Sequence, residues 1–233
     1  MEEFYTRTAA VLGEATVDRL RRAHVLVVGV GGVGSYSAEA LARAGVGYLT
    51  VCDHDVVAPS NLNRQLIALQ STVGQPKAEL VRRRVADIQP QCRVTALALC
   101  YGPETRERVW AEPYDFVIDA IDMVSAKVDL IRQAQARGVP IVSALGTGNK
   151  LDPLRFELAD LADTSVCPLA RALRRELRRV GIVHHPVLYS REEPRRAQTL
   201  QEGGRAVPGS VSWVPSCAGL MLAGYVVRQL TGV

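Results

Sequence analysis

Lysine is nearly missing from this chain. Of 28 basic residues only Lys77, Lys127 and Lys150 are lysines, and the rest are arginine. Arginine is a planar fork of donors, whereas lysine is a compact point charge. In a chain that writes arginine by default, a lysine marks a place that needs such a charge. Cysteine is sparse and unpaired. The five cysteines, at 52, 92, 100, 167 and 217, are odd in number and form no Cys-x-x-Cys pair. This argues against a disulfide framework and a four-cysteine zinc site, and for a reducing, cytoplasmic setting. Only Trp110 and Trp213 offer indole rings, and no RNA-binding module built on aromatic stacking appears. No secretory signal is read at Met1–Gly13, which carries charge and lacks a long apolar stretch. The one apolar run that invites a membrane reading, 211–227, is broken by Pro215, Ser212, Ser216 and glycines. It falls short of the roughly 18 to 20 residues a crossing needs and reads as a buried terminal helix.

What is present is a globular composition: 233 residues, 48% apolar and 22% charged, with a net charge of +4. That length suits a single domain with a substantial core. Apolar runs that stop at glycine or acid predict buried parallel strands at 24–29, 48–52, 93–99, 116–119 and 139–144. Between them, helical patterns cover 33–44, 77–88, 104–110 and 124–137. Such alternation means an α/β fold, a Rossmann-like doubly wound and mainly parallel sheet. The pattern breaks near Gly146. The expectation is a Rossmann-like core over 1–150 and a C-terminal extension over 151–233. In that extension, 153–158 and 182–189 read as strands, 169–179 as a basic helix, 191–208 as a mobile loop, and 217–230 as the final helix.

The chemistry begins at Gly29-Val-Gly31-Gly32-Val-Gly34, a G-x-G-x-x-G motif that follows a strand and opens a helix. Glycines there let backbone N–H groups approach phosphates, and the helix N-terminus favours an anion. Asp53 lies 19 residues beyond Gly34, at the end of the second strand, where a ribose-binding carboxylate belongs. A dehydrogenase would fit this much equally well. The following segment, Asp53 to Gln65 and on to Lys77, is not what a dehydrogenase needs. A reaction that expels pyrophosphate wants Arg and Lys at the polyphosphate and a carboxylate for magnesium. Asp119-Ala-Ile-Asp122, closing the fourth strand, supplies a carboxylate on the same sheet edge.

Taken together, Gly29–Gly34, Asp53–Gln65, Lys77 and Asp119–Asp122 resemble the ubiquitin-activating-type adenylating enzymes, the superfamily that includes ThiF, MoeB and HesA. Within it the chain is most similar to the tRNA threonylcarbamoyladenosine dehydratases. That similarity covers nearly the whole length, from Phe4-Tyr-Thr-Arg7 to Pro215–Tyr225. The resemblance implies a homodimer that uses ATP and Mg2+ to activate a carboxylate on tRNA, by adenylation, and cyclise it. Phosphorylation with release of ADP stays open. So does adenylation of a ubiquitin-like sulfur carrier, with a sulfur-transfer partner protein, although sulfur-carrier activators usually hold a zinc in two Cys-x-x-Cys pairs, which are lacking here. It also assigns residues. Asp53 binds ribose, Arg64 and Lys77 face the phosphates with Asn61 near them, and Asp55 joins or braces the loop. Asp122 holds magnesium or the α-phosphate, and Arg7 reaches the partner subunit's phosphates. Lys127, five residues after Asp122, is read equally as site and structure. Cys217 is read as a packing residue, since no thioester is required. Arg171, Arg174, Arg175, Arg178 and Arg179 share a helix face suited to tRNA phosphates, or simply to solvent. Arg191, Arg195, Arg196 and Arg205 extend that charge into the loop.

Overall fold

The computed structural model describes residues 3–195, 200–202 and 205–233. The chain opens with α1 (Thr6–Leu12) and α2 (Glu14–Arg22), separated at Gly13, whose φ of 87° no ordinary L residue adopts cheaply. There follow β1 (His24–Val28), α3 (Gly34–Ala44), β2 (Tyr48–Cys52), α4 (Lys77–Ile88), β3 (Arg93–Leu97), the single turn α5 (Arg106–Val109), β4 (Phe116–Asp119), α6 (Val124–Ala136) and β5 (Ile141–Ala144). The second part adds β6 (Phe156–Asp160), α7 (Pro168–Arg179), β7 (Pro186–Ser190), β8 (Leu200–Glu202), β9 (Arg205–Val207) and α8 (Trp213–Thr231).

Seven strands form one sheet in the order β3-β2-β1-β4-β5-β7-β6, parallel except for β6 at the edge. Alternate residues of β1 feed two cores. Val25 and Val27 pack beneath α2, α3, α4 and α8, while Leu26 and Val28 pack with α5, α6 and α7. With both faces covered, the parallel strands read as continuous apolar runs. The last helix is held against α3 at Gly219, where a Cβ would meet the Val33 carbonyl oxygen at 2.3 Å and Ser37 Oγ donates to the Gly219 carbonyl at 2.9 Å. This crossing carries Pro215, at the start of α8, to the glycine loop. Among the described residues no helix is long and apolar enough to cross a membrane.

Three expectations need correction. The strand read at 182–189 begins only at Pro186, because Gly181 (φ 81°) and Ile182 are spent closing α7, with their amides donating to the Arg178 and Leu177 carbonyls. Residues 153–155 form a 3-10 turn capped by Asp152, and the strand starts after it. The loop expected over 191–208 contains an antiparallel ladder, Leu200–Glu202 against Arg205–Val207. Arg196 lies outside the described residues, as does any side-chain detail at Arg205.

Candidate nucleotide site

The glycine loop leaves β1 at Gly29. Its φ is +85°, and a Cβ there would sit 2.7 Å from the Ala120 carbonyl oxygen. At Gly34 a Cβ would lie 1.8 Å from the Gly29 carbonyl, so α3 can start so close only at a glycine. Between them Gly31 and Gly32 border a cavity of about 810 Å3. The cavity opens at the carboxyl ends of β1, β2 and β4, where strand order reverses and open α/β sheets bind ligands.

Asp53, Asp55, Asn61, Arg64, Lys77 and Asp122 all line this one cavity. Asp53, just past β2, accepts the Val30 amide on one oxygen at 2.8 Å and the Asp55 amide on the other at 2.9 Å. It therefore ties the glycine loop to the loop after β2, and each oxygen keeps a lone pair for a hydroxyl. Lys77 opens α4 and is only 4% exposed. Its Nζ donates to Asp55 Oδ2 at 2.7 Å, and its backbone amide donates to the Asp55 carbonyl at 3.0 Å. Asp55 is thus the lysine's counter-charge, and its other oxygen stands 3.2 Å from His54 Nε2. Ligand atoms of Asp53, His54 and Asp55 lie within 4.8 Å of one another, but both carboxylates are already engaged by the protein. Asn61 is buried and its Oδ1 accepts the Ala58 amide at 3.1 Å, shaping the loop that presents Arg64. Arg64 is half-buried, with Nη1 donating to the Ser60 carbonyl (2.7 Å) and Asn63 Oδ1 (2.9 Å).

Two carboxylates close β4, and they differ. Asp119 is fully buried and bonded to Lys127 Nζ at 2.9 Å and Ser143 Oγ at 2.6 Å, whereas Asp122 is exposed at the cavity. Only Asp122 is free to meet a ligand. Lys127 belongs to the core. Gln65 went unread as a site residue. It is buried beside Gly31 on the cavity wall, and its Oε1 has no hydrogen-bond partner. A buried unsatisfied amide oxygen is costly unless something completes it. Residues 207–210 form the far wall. They are pinned where the Asn149 amide donates to the Gly209 carbonyl (2.8 Å) and Asn63 Nδ2 to the Ser210 carbonyl (3.0 Å).

Other expected residues lie elsewhere. Arg7 is exposed on α1 and does not line the cavity. Cys217 is half-buried in α8 and is not a wall residue, while Cys52 is, with burial pushing its thiol up to about 12. The arginines of α7 are not equivalent. Arg174 is turned inward, its guanidinium donating to the Leu161 carbonyl at 3.0 Å and the Thr164 carbonyl at 2.6 Å. Arg175 and Arg179 flank Glu176 at 2.9 and 2.8 Å, and Arg171 and Arg178 are exposed. The helix starts beside Gly146 at the cavity edge of the sheet and descends toward Leu161, which pairs with His185 before β7. Arg178 and Arg179 therefore sit at the edge away from the cavity.

Comparison with known proteins agrees with this geometry. The sequence profile of the ThiF family matches residues 5–233. The tRNA threonylcarbamoyladenosine dehydratase of Bacillus subtilis is 42% identical over 238 residues, covering 97% of this chain and 94% of that protein. The crystal structure of Escherichia coli tRNA N6-threonylcarbamoyladenosine dehydratase, TcdA, in complex with ATP superposes with a TM-score of 0.91 at 33% identity, over 99% of this chain and 94% of that one. The same enzyme in complex with AMP gives 0.89 at 34% identity, over 97% and 93%. The chain belongs to the ThiF family.

Proposed function

We propose that this protein is an ATP-dependent tRNA threonylcarbamoyladenosine dehydratase that activates the substrate carboxylate by adenylation. The observation that carries the reading is the convergence of Asp53, Arg64, Lys77 and Asp122 on one cavity under a glycine loop, in a chain 42% identical to a dehydratase of that name. In this reading a carboxylate oxygen of the threonyl group attacks the α-phosphorus of ATP and pyrophosphate leaves. The carbamoyl group then closes on the acyl carbon, AMP departs with that oxygen, and a proton goes to solvent. Water is lost overall, and no cysteine nucleophile is needed.

Each residue has a physical task. The glycine loop and the first turn of α3 offer backbone donors to phosphate. Asp53 accepts from the ribose hydroxyls. Lys77 and Arg64 stabilise charge that grows on the phosphates as pyrophosphate departs, which is where preorganised charge accelerates a reaction. Arg64 reaches them by exchanging its bonds within the loop. The amide of Gln65, whose Oε1 is unpaired, is completed by the nucleotide or its water. Asp122 and the loop around it have the hard oxygen donors that Mg2+ takes, and the ion would neutralise phosphate charge there. Arg7, outside its own cavity, acts on the phosphates of a second subunit in a homodimer. The exposed arginines of α7 contact tRNA phosphates. Residues 1–150 serve as the nucleotide core and 151–233 as the substrate and dimer segment, working as one unit in the cytoplasm.

The test is nucleoside analysis of tRNA after incubation with the protein, ATP and Mg2+. Conversion of threonylcarbamoyladenosine to its cyclic form, dependent on ATP, is the expected result. Unchanged tRNA, with ATP–pyrophosphate exchange appearing only when a carrier protein ending in Gly-Gly is added, would instead identify a sulfur-carrier activator.

A further inference from the structure

We propose that Lys127 is a positioning residue of the nucleotide site, a buried ammonium that clamps two strand ends forming its wall. Lys127 is 0% exposed and lies in α6, beneath the cavity floor. Its Nζ donates to Asp119 Oδ2 at 2.9 Å and to the Ala144 carbonyl at 2.8 Å. Asp119 ends β4 and Ala144 ends β5. The other oxygen of Asp119 accepts the Ile121 amide at 3.1 Å, which folds the turn that carries Asp122 into the cavity. Beyond Ala144 the chain runs to Thr147 and Gly148, which line the opposite side. One charge thus holds both walls from below. Ser143 Oγ supports Asp119 Oδ2 at 2.6 Å and is itself 2.7 Å from His185 Nε2, so the carboxylate is held on every side. From above, the Ala120 amide donates to the Val28 carbonyl at 2.8 Å, and Gly29 packs on Ala120.

Stability alone does not explain such a pair. Desolvating two charges is expensive, and well-packed apolar residues of similar volume would serve the core as well or better. Apolar residues cannot accept the Ile121 amide or hold the Ala144 carbonyl in place. The side chain is also one of three lysines in an arginine-rich chain. Its single ammonium meets both acceptors, Asp119 Oδ2 and the Ala144 carbonyl, in a space without solvent.

The inference rests on the reading that Asp122 meets the phosphates, and the experiment separates the two. Lys127→Met alone leaves Asp119 charged and unpaired, so Lys127→Met/Asp119→Asn is measured beside it as the neutral pair. The amide that Asp119→Asn introduces keeps an oxygen for the Ile121 amide, but nothing pins Ala144. Thermal midpoint, ATP affinity by calorimetry and tRNA-dependent kcat are read for each. In the double variant kcat falls about tenfold to a hundredfold, the scale of a small misplacement at a reacting centre. ATP Kd stays within about threefold, since ribose and glycine-loop contacts arise on β1 and β2. A buried pair that was only structural would lower the midpoint and leave kcat of the folded protein unchanged, and that result overturns the proposal. Asp122→Asn is the control. If it is inactive while the double variant is normal, the clamp alone is wrong. If Asp122→Asn itself turns over normally, the underlying reading of Asp122 fails and takes the clamp with it.

Discussion

Lys77 is 4% exposed and its charge is answered by a single carboxylate, Asp55, at 2.7 Å. Such a group is preorganised and pays little reorganisation when the reaction needs it. Lys77→Ala and Asp122→Asn should therefore each lower turnover by roughly a hundredfold or more, the cost of losing one preorganised electrostatic group. Cys217→Ser should stay within a few fold, because the attacking atom belongs to the substrate. Steady-state nucleotide release with tRNA, on variants confirmed as folded, checks the order. An inactive Cys217→Ser beside an active Asp122→Asn would point to thioester chemistry instead. The residue scale is also where sequence and structure part. Asp53, Arg64, Lys77 and Asp122 were legible because motif spacing on a parallel sheet edge places them together. The division of labour between Asp119 and Asp122 was not, since both close the same strand and only packing decides which one is buried. Gln65 was invisible for the same reason: an amide following Arg64 carries no sign that its oxygen is orphaned.

At the scale of elements, α7 shows how a face of like charges divides its work. Its five arginines share a helical face in sequence, yet Arg174 bridges to the turn at 161–164 and holds α7 to the sheet. Charged donors on buried carbonyls contribute about 1.5 to 3 kcal/mol each, so Arg174→Ala should lower stability measurably. The other four are exposed, Arg175 and Arg179 in surface pairs with Glu176. Arg175→Glu with Arg179→Glu should weaken tRNA binding and reduce its salt slope by about 2, near 0.9 per phosphate contact, with ATP affinity preserved. Filter binding across a salt series reads the slope, and an unchanged slope would assign these residues to a solvated face. Element boundaries were legible wherever glycine is sterically required, as at Gly29 and Gly34 between β1 and α3. They were not legible at Ile182, whose apolar side chain looks like the start of a strand but whose amide closes α7. Nor did the Gly- and charge-rich run before Pro208 reveal a ladder, since cross-strand pairing there leaves no periodic pattern.

Across the whole molecule, a buried polar seam runs from the nucleotide turn through Asp119, Lys127 and Ser143 to His185. His185 is 1% exposed, and burial lowers its pKa from 6.5 to about 4. Between those values the unfolded chain binds a proton that the folded chain refuses, so stability rises with pH through the window and is lost as pH falls. The loss approaches about 3 kcal/mol near pH 4 by the usual conversion of pKa shift to free energy. His24 is shifted the same way, by burial, and adds to it. Urea midpoints from pH 7 to 5 should therefore fall in the parent protein and fall less steeply in His185→Asn, and parallel slopes would remove His185 from the account. The seam lies under a site whose proposed chemistry is the transfer of one carboxylate oxygen to AMP. That transfer can be followed directly with threonylcarbamoyladenosine tRNA labelled with oxygen-18 in its carboxylate. Mass spectrometry after a single turnover should find one heavy oxygen in AMP, alongside unlabelled pyrophosphate. Heavy inorganic phosphate with ADP would contradict adenylation, and cyclised tRNA with no label in either nucleotide product or phosphate would contradict carboxylate activation altogether.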